Sequence, residues 1–253
     1  MIEALAFENA DFCRLKRFPA SNLFTTRAAG NMSPQWGNKQ KARTKATQIF
    51  TRYAVNPHDC FVVFPAHSDR IVCVLNDNDP REILCDGIFT ALPHAAIVLR
   101  PADCLPILMT TVEKKFIGLI HVGWRGIENE IIRNAVQRAK LEYEVSENDI
   151  HVGIGPSIHR CCYNNDYIIN RYSEDKRWLP FMSTGPLGTR VDLVGRAVQQ
   201  LLLAGIDPVH ITILAACTMC TKNKSGEYLF FSHHRVLKNK SEKEGRGMAL
   251  ITF

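Results

Sequence analysis

Two short segments concentrate the residue types that can do chemistry: PADCLPIL at 101–108 and HVGWRG at 121–126. Cys104 stands just before an apolar, strand-like run, and His121 closes the next one. A sheet would hold both side chains at its edge while keeping them still. His67 occupies a similar place, between the apolar runs at 61–64 and 71–75. Two imidazoles and a thiolate suit Zn²⁺, and three protein ligands leave a fourth position open for water or substrate. A closed structural site would recruit a fourth protein ligand. The spacing by itself is equally compatible with two surface histidines and a buried thiol, because the three residues are scattered through the chain.

The elements that must position them are short. Apolar, β-branched runs at 61–64, 71–75, 95–99, 106–109 and 116–122 read as buried strands, from their length and flanking turn residues. The polar stretch 28–47 predicts a loop running into a helix that ends near Tyr53. Ile127, Ile131, Ile132, Ala135, Val136 and Ala139 recur at helical spacing and predict one helix over 127–143. A strand at 150–154 should stop at Gly155-Pro156. Asp192 reads as the N-cap of a helix reaching Ala204, with Gly205 as its stop. Further strands are expected at 210–215, 228–231 and 248–253. Strands and helices without strict βαβ alternation give an α+β class with mixed sheets. No shift in composition marks a boundary, so residues 1–253 read as one catalytic domain.

Composition narrows the function classes. At 253 residues the chain can bury a substantial core, and 46% hydrophobic with 22% charged residues is ordinary for a globular protein. The net charge of +6 is mild and its basic residues are dispersed, which disfavours nucleic-acid binding and suits an anionic substrate equally well. No apolar run approaches the roughly 20 residues that span a bilayer. The first residues lack the pattern of a secretory signal, so cytoplasm is the expected compartment, with the nine cysteines kept as thiols or metal ligands. Cys217-Thr-Met-Cys220 lacks a second CxxC in the right relation and reads as structural thiols. Cys161-Cys162 reads as turn packing, Trp124 as a packing or pocket-wall residue, and His151 and His210 as surface residues.

Beyond the two segments stand GPSIHRCCY (155–163), Cys217-Thr218 and FFSHHR (230–235), with FTTRAAGNMS (24–33) ahead of them. In this order they resemble the signatures of the YfiH/laccase-domain family over nearly the whole chain, and HxGWRG together with ADC is the specific combination. The resemblance implies a layered α/β/β/α arrangement with mixed sheets, similar in fold to toxin deamidases. It implies that Cys104 and His121 join an upstream histidine as zinc ligands. His67 takes that place here, with Pro65 and Ser68 where the family has Gln and Gly; its rival His58 follows a proline in a polar turn. His233 and His234 replace the family's Tyr-Arg pair.

The resemblance further implies phosphorolysis of adenosine, inosine, guanosine and methylthioadenosine, plus adenosine deamination, with purine nucleosides and phosphate as partners. Zinc is the expected cofactor rather than copper: multicopper sites use closely spaced His-x-His pairs, and the nine histidines include none. Arg27 and Arg125 are candidates to clamp phosphate, since guanidinium geometry fits it. Asp103 is a candidate to accept a hydrogen bond from substrate or to orient a ligand histidine. Arg235 is a candidate pocket residue. The alternative is a metal-free Cys-His hydrolase acting on amide bonds, as in peptidoglycan-precursor editing, with Cys104 as nucleophile and His121 as its base. A third reading, a non-enzymatic adaptor, gives no physical reason for paired ligands at strand edges.

Overall fold

The structure, a computed structural model, describes residues 2–186 and 188–253. Two seven-stranded mixed sheets make up its body. In the first, the strands run in the order Ile2–Glu3, Ile211–Leu214, His151–Ile154, Leu105–Thr110, Ile117–Val122, Gly87–Thr90, Ile71–Val74. In the second, they run Ala6–Asn9, Phe12–Arg14, Ser21–Thr25, Ala249–Thr252, Ala96–Leu99, Cys60–Phe64, Glu82–Leu84. Met182–Gly185 and Gly188–Val191 form a separate antiparallel hairpin. The helices are α1 (Lys39–Arg52), α2 (Trp124–Glu128), α3 (Ile131–Tyr143), α4 (Asp166–Arg171), α5 (Leu193–Leu203) and α6 (His233–Lys238).

Side-chain alternation along the strands builds the layers. Ile107 and Met109 face the cluster that contains Ile132, Val136, Ala197 and Leu201 of α3 and α5, whereas Leu108 faces the other way. Leu108, Leu119 and Ile88 of the first sheet meet Ile97, Leu99 and Ile251 of the second in a shared core. Val98 and Leu250, on the outer face of the second sheet, pack with Ile49 and Phe50 of α1. Helix, sheet, sheet, helix is therefore the layer order expected from the family resemblance. Central strands buried on both faces explain why they read as continuous apolar runs rather than alternating ones.

Two expected elements differ in the structure. The helix expected over 127–143 is two helices. The chain breaks after Glu128, and Glu130 adopts a left-handed φ of 57° before α3 begins. The apolar spacing runs on across the break because both helices bury the same side, so periodicity cannot see it. Residues 228–231 form no strand. Leu229 and Phe230 are buried under the inter-sheet core, and the backbone there makes only isolated bonds, such as Arg27 N–H to the Leu229 carbonyl at 2.7 Å. Asp192 caps α5 by accepting from the Gly195 N–H at 2.8 Å, and Gly205 follows with φ 92°. Among the described residues no helix is long and apolar enough to cross a membrane.

Candidate metal centre

Leu105–Thr110 and Ile117–Val122 pair antiparallel, with Leu105 opposite Val122 and Pro106 opposite His121. Continuing that register sets Cys104 beside Gly123. A Cβ on Gly123 would lie 3.1 Å from Cys104 Sγ, 3.9 Å from His67 Cδ2 and 4.0 Å from His121 Cε1. The missing side chain at Gly123 is thus the space in which these three residues meet. Their donor atoms lie within 4.8 Å of one another. The His67 and His121 rings are 5.0 Å apart and nearly perpendicular, at 85°. His121 is buried, Cys104 is half-buried and His67 is exposed, so the cluster opens on one side. Two imidazoles and a thiolate converging on one point form a donor set that fits Zn²⁺.

Asp86, which is fully buried, organises two of the three. Its Oδ1 accepts from His121 Nδ1 at 2.9 Å and from the His67 backbone N–H at 3.0 Å. Its Oδ2 accepts from the Ala66 N–H at 3.2 Å, and from the Ser68 N–H and hydroxyl at 2.7 Å each. The first contact places the proton on Nδ1 and leaves His121 Nε2 free for a metal. The others wrap the 66–68 loop around the carboxylate and hold His67 in its left-handed conformation, with φ 57°. Sequence reasoning did not find Asp86. The available signal was a carboxylate inside an apolar stretch, ILCDGIF at 83–89.

Electrostatics tie the cluster together. Burial alone would push the Cys104 thiol up, but the charge and hydrogen bond of His121, aided by His67, bring it down to about 6. Burial likewise disfavours charge on His121, but Cys104 and Asp86 raise it to about 9. Burial of Asp86 is outweighed by His121 and Ser68, which hold its carboxyl at about 2. Without a metal the pair is therefore a thiolate facing an imidazolium. A metal can take His121 Nε2 only after its proton leaves, so metal binding at neutral pH should release about one proton. Affinity should climb with pH through the raised His121 value rather than levelling off above the ordinary imidazole range. Potentiometric titration during metal addition checks this; binding without proton release, equally tight at low and high pH, would contradict it.

The cluster faces a cleft of about 540 Å³. Its cations are Lys39, Arg43, Arg100 and Arg246; Glu82 lines the same space, and Glu244 pairs with both Arg246 and the lining His233. Burial lowers the Arg100 pKa from the usual guanidinium range, and among the described residues its Nε has no hydrogen-bond partner. Two half-exposed aromatic faces, Trp36 and Phe64, line the same space, and the Arg246 guanidinium lies 5.1 Å from the Trp36 ring centre.

The remaining candidate residues sit elsewhere. Arg27 pairs with Glu242 at 2.7 Å and lines a different cleft, beside Lys222 and Tyr228. Arg125 lies 4.4 Å from the centre of the Trp124 ring. Arg235 is buried and donates to the carbonyls of Thr218, Met219 and Phe230 at 3.0, 2.9 and 2.7 Å. Asp103 is buried too, with a left-handed φ of 87°. Its carboxylate accepts from the Thr218 hydroxyl and the His234 N–H, both at 2.6 Å. The carboxylate that orients a histidine of the cluster is Asp86, while Asp103 braces the turn that delivers Cys104.

Comparison with known proteins gives a consistent family. Residues 22–253 match the family model described as multi-copper polyphenol oxidoreductase laccase. A protein of Geobacillus stearothermophilus named purine nucleoside phosphorylase YlmD is 34% identical over 59% of this chain and 54% of its own length. The purine nucleoside phosphorylase of Aquifex aeolicus is 31% identical over 61% of this chain and 69% of its own. The match to the Geobacillus relative thus spans only about half of that protein. Among solved structures, the YfiH protein of Bacillus licheniformis superposes with a TM-score of 0.84 at 24% identity, covering 98% of both chains. YlmD of Geobacillus stearothermophilus superposes at 0.83, also with 24% identity and 98% of both. These two likenesses concern the fold.

Proposed function

The chain belongs to the multi-copper polyphenol oxidoreductase laccase family, and from its site residues and the names of its relatives we propose that it is a zinc-dependent purine nucleoside phosphorylase that also deaminates adenosine. The observation that carries this reading is the convergence of His67, Cys104 and His121 at the mouth of a cationic cleft with apolar aromatic walls. The family's copper-oxidase description does not suit these residues: one His/Cys/His set cannot hold several coppers. The names of the relatives support purine nucleosides and phosphate as substrates.

Zinc held by His67, Cys104 and His121 would supply Lewis-acid activation of a bound substrate or water. The protein's own groups do the rest. Asp86 fixes the His121 tautomer and the His67 loop. Trp36 and Phe64 offer flat apolar faces against which a purine can stack. Arg43 and Arg100 stand for the phosphate, since guanidinium groups bind it bidentately and Arg100 Nε lacks a partner. We place phosphate there rather than on Arg27 and Arg125, which are engaged with Glu242 and Trp124. A phosphate so held would be positioned to attack the ribose C1′, and the cationic wall would balance its charge as the glycosidic bond breaks.

The Asp86–His121–Cys104 chain favours a second reading. A carboxylate-oriented imidazolium beside a thiolate is also the array of a metal-free cysteine hydrolase. The second imidazole on the thiolate, His67, has no role in that chemistry, which ranks zinc first. Zinc-loaded protein given adenosine and phosphate should yield adenine and ribose 1-phosphate, with inosine and hypoxanthine from deamination, as followed by chromatography. No turnover by protein with its zinc intact would defeat the reading; amide hydrolysis abolished by alkylating Cys104 would favour the second.

A further inference from the structure

A second concentration of soft ligands lies outside the catalytic cleft. Cys161 and Cys162 follow the 155–160 loop, and Cys217 and Cys220 follow the strand Ile211–Leu214. All four sulfurs lie within 4.8 Å of one another, and Cys161 Sγ to Cys220 Sγ is 3.6 Å. We propose that these four cysteines form a second metal site, a closed tetrahedral four-thiolate site for Zn²⁺ with a structural role.

Geometry supports a metal over the alternatives. Four sulfurs at about 2.3 Å from a tetrahedral zinc stand about 3.8 Å from each other, close to the separation seen here. A disulfide needs about 2.05 Å, and all nine cysteines are free. Thiols kept only as small apolar groups are among the most buried side chains, yet Cys161 and Cys220 are exposed. The C-x-x-C segment is also folded as a metal knuckle requires. The backbone N–H of His159 donates to Cys217 Sγ at 3.4 Å, and those of Met219 and Cys220 point to the same sulfur. The missing second CxxC is replaced by adjacent cysteines on a neighbouring loop, held in place by the bridge between Ser157 and Cys217.

The site would fasten the loop that presents Cys104. Thr218, between the knuckle cysteines, donates to Asp103 Oδ1 at 2.6 Å, and Asp103 precedes Cys104. The Thr218 N–H donates to the Ser157 carbonyl at 2.9 Å, and Arg235 binds the carbonyls of Thr218 and Met219. A metal here would lock two loops and the helix α6 into one support beneath the catalytic turn.

The test uses the full chain purified with reductant and zinc, then dialysed and analysed for metal. Wild type is expected to hold two zinc ions per chain, and Cys161→Ser/Cys220→Ser one, with a melting temperature lower by several degrees. These positions are exposed, so the variant should fold; its far-ultraviolet dichroism checks that. Cobalt added to Cys104→Ser should give the intense charge-transfer absorption of a four-thiolate site, which keeps this question separate from the catalytic centre. Equal zinc in wild type and Cys161→Ser/Cys220→Ser, absence of that absorption, or a Cys161–Cys220 disulfide in the reduced protein would each overturn the proposal.

Discussion

Replacing Cys104 by Ser is expected to reduce phosphate-dependent release of base from adenosine and inosine by about a thousandfold or more. Lewis-acid activation by a bound metal contributes several kcal/mol to a transition state, and each 1.4 kcal/mol or so is about tenfold in rate. Serine keeps the size of the side chain but offers a hydroxyl that stays protonated at neutral pH, so the softest donor is lost. Half-buried Cys104 immediately precedes the strand Leu105–Thr110, all of whose residues are buried. The fold should therefore survive, and the loss should appear in kcat with an unchanged far-ultraviolet dichroism spectrum. Product formation by quantitative chromatography measures it; activity within a few fold of wild type would show that Cys104 does not hold the catalytic metal.

Asp86→Asn is expected to have the next largest effect, on both metal affinity and stability. Every contact to the Asp86 carboxylate comes from a donor: three backbone N–H groups, the Ser68 hydroxyl and His121 Nδ1. An amide in its place must turn its NH₂ toward one set of these donors, burying unmatched hydrogen-bonding groups at roughly 1–3 kcal/mol. Loss of a carboxylate that orients a ligand histidine typically weakens metal binding by about 10–100-fold. Competition with a chromophoric chelator reads the affinity, and thermal melting reads the stability. Affinity equal to wild type would mean that Asp86 only shapes the loop.

How legible was this in the sequence? Cys104 and His121 were visible because each sits where a long apolar run meets a turn, and both runs are central strands of one sheet. His67 was harder, since its neighbours Pro65 and Ser68 depart from the family pattern and its position depends on a contact to Asp86, far away in sequence. Asp86 itself was hidden by the short strands around it; Glu82–Leu84 and Gly87–Thr90 lie in different sheets, and no local periodicity reports a chain crossing between layers. The layer order followed from the family resemblance, and the buried strands from uninterrupted Val, Ile and Leu. The cations of the cleft come from three separate parts of the chain: Lys39 and Arg43 lie one turn apart on α1, while Arg100 and Arg246 belong to distant loops. The same holds for the four cysteines, which read as two unrelated pairs until the fold brings their loops together.

The central claim is that His67, Cys104 and His121 hold one metal ion, and its most direct test is the zinc content of His67→Ala beside wild type. Both would be purified identically and dialysed against the same competing chelator. The variant is expected to hold one zinc ion fewer per chain than wild type, with base release lost in parallel. Equal zinc contents, with the phosphorolysis retained, would contradict it.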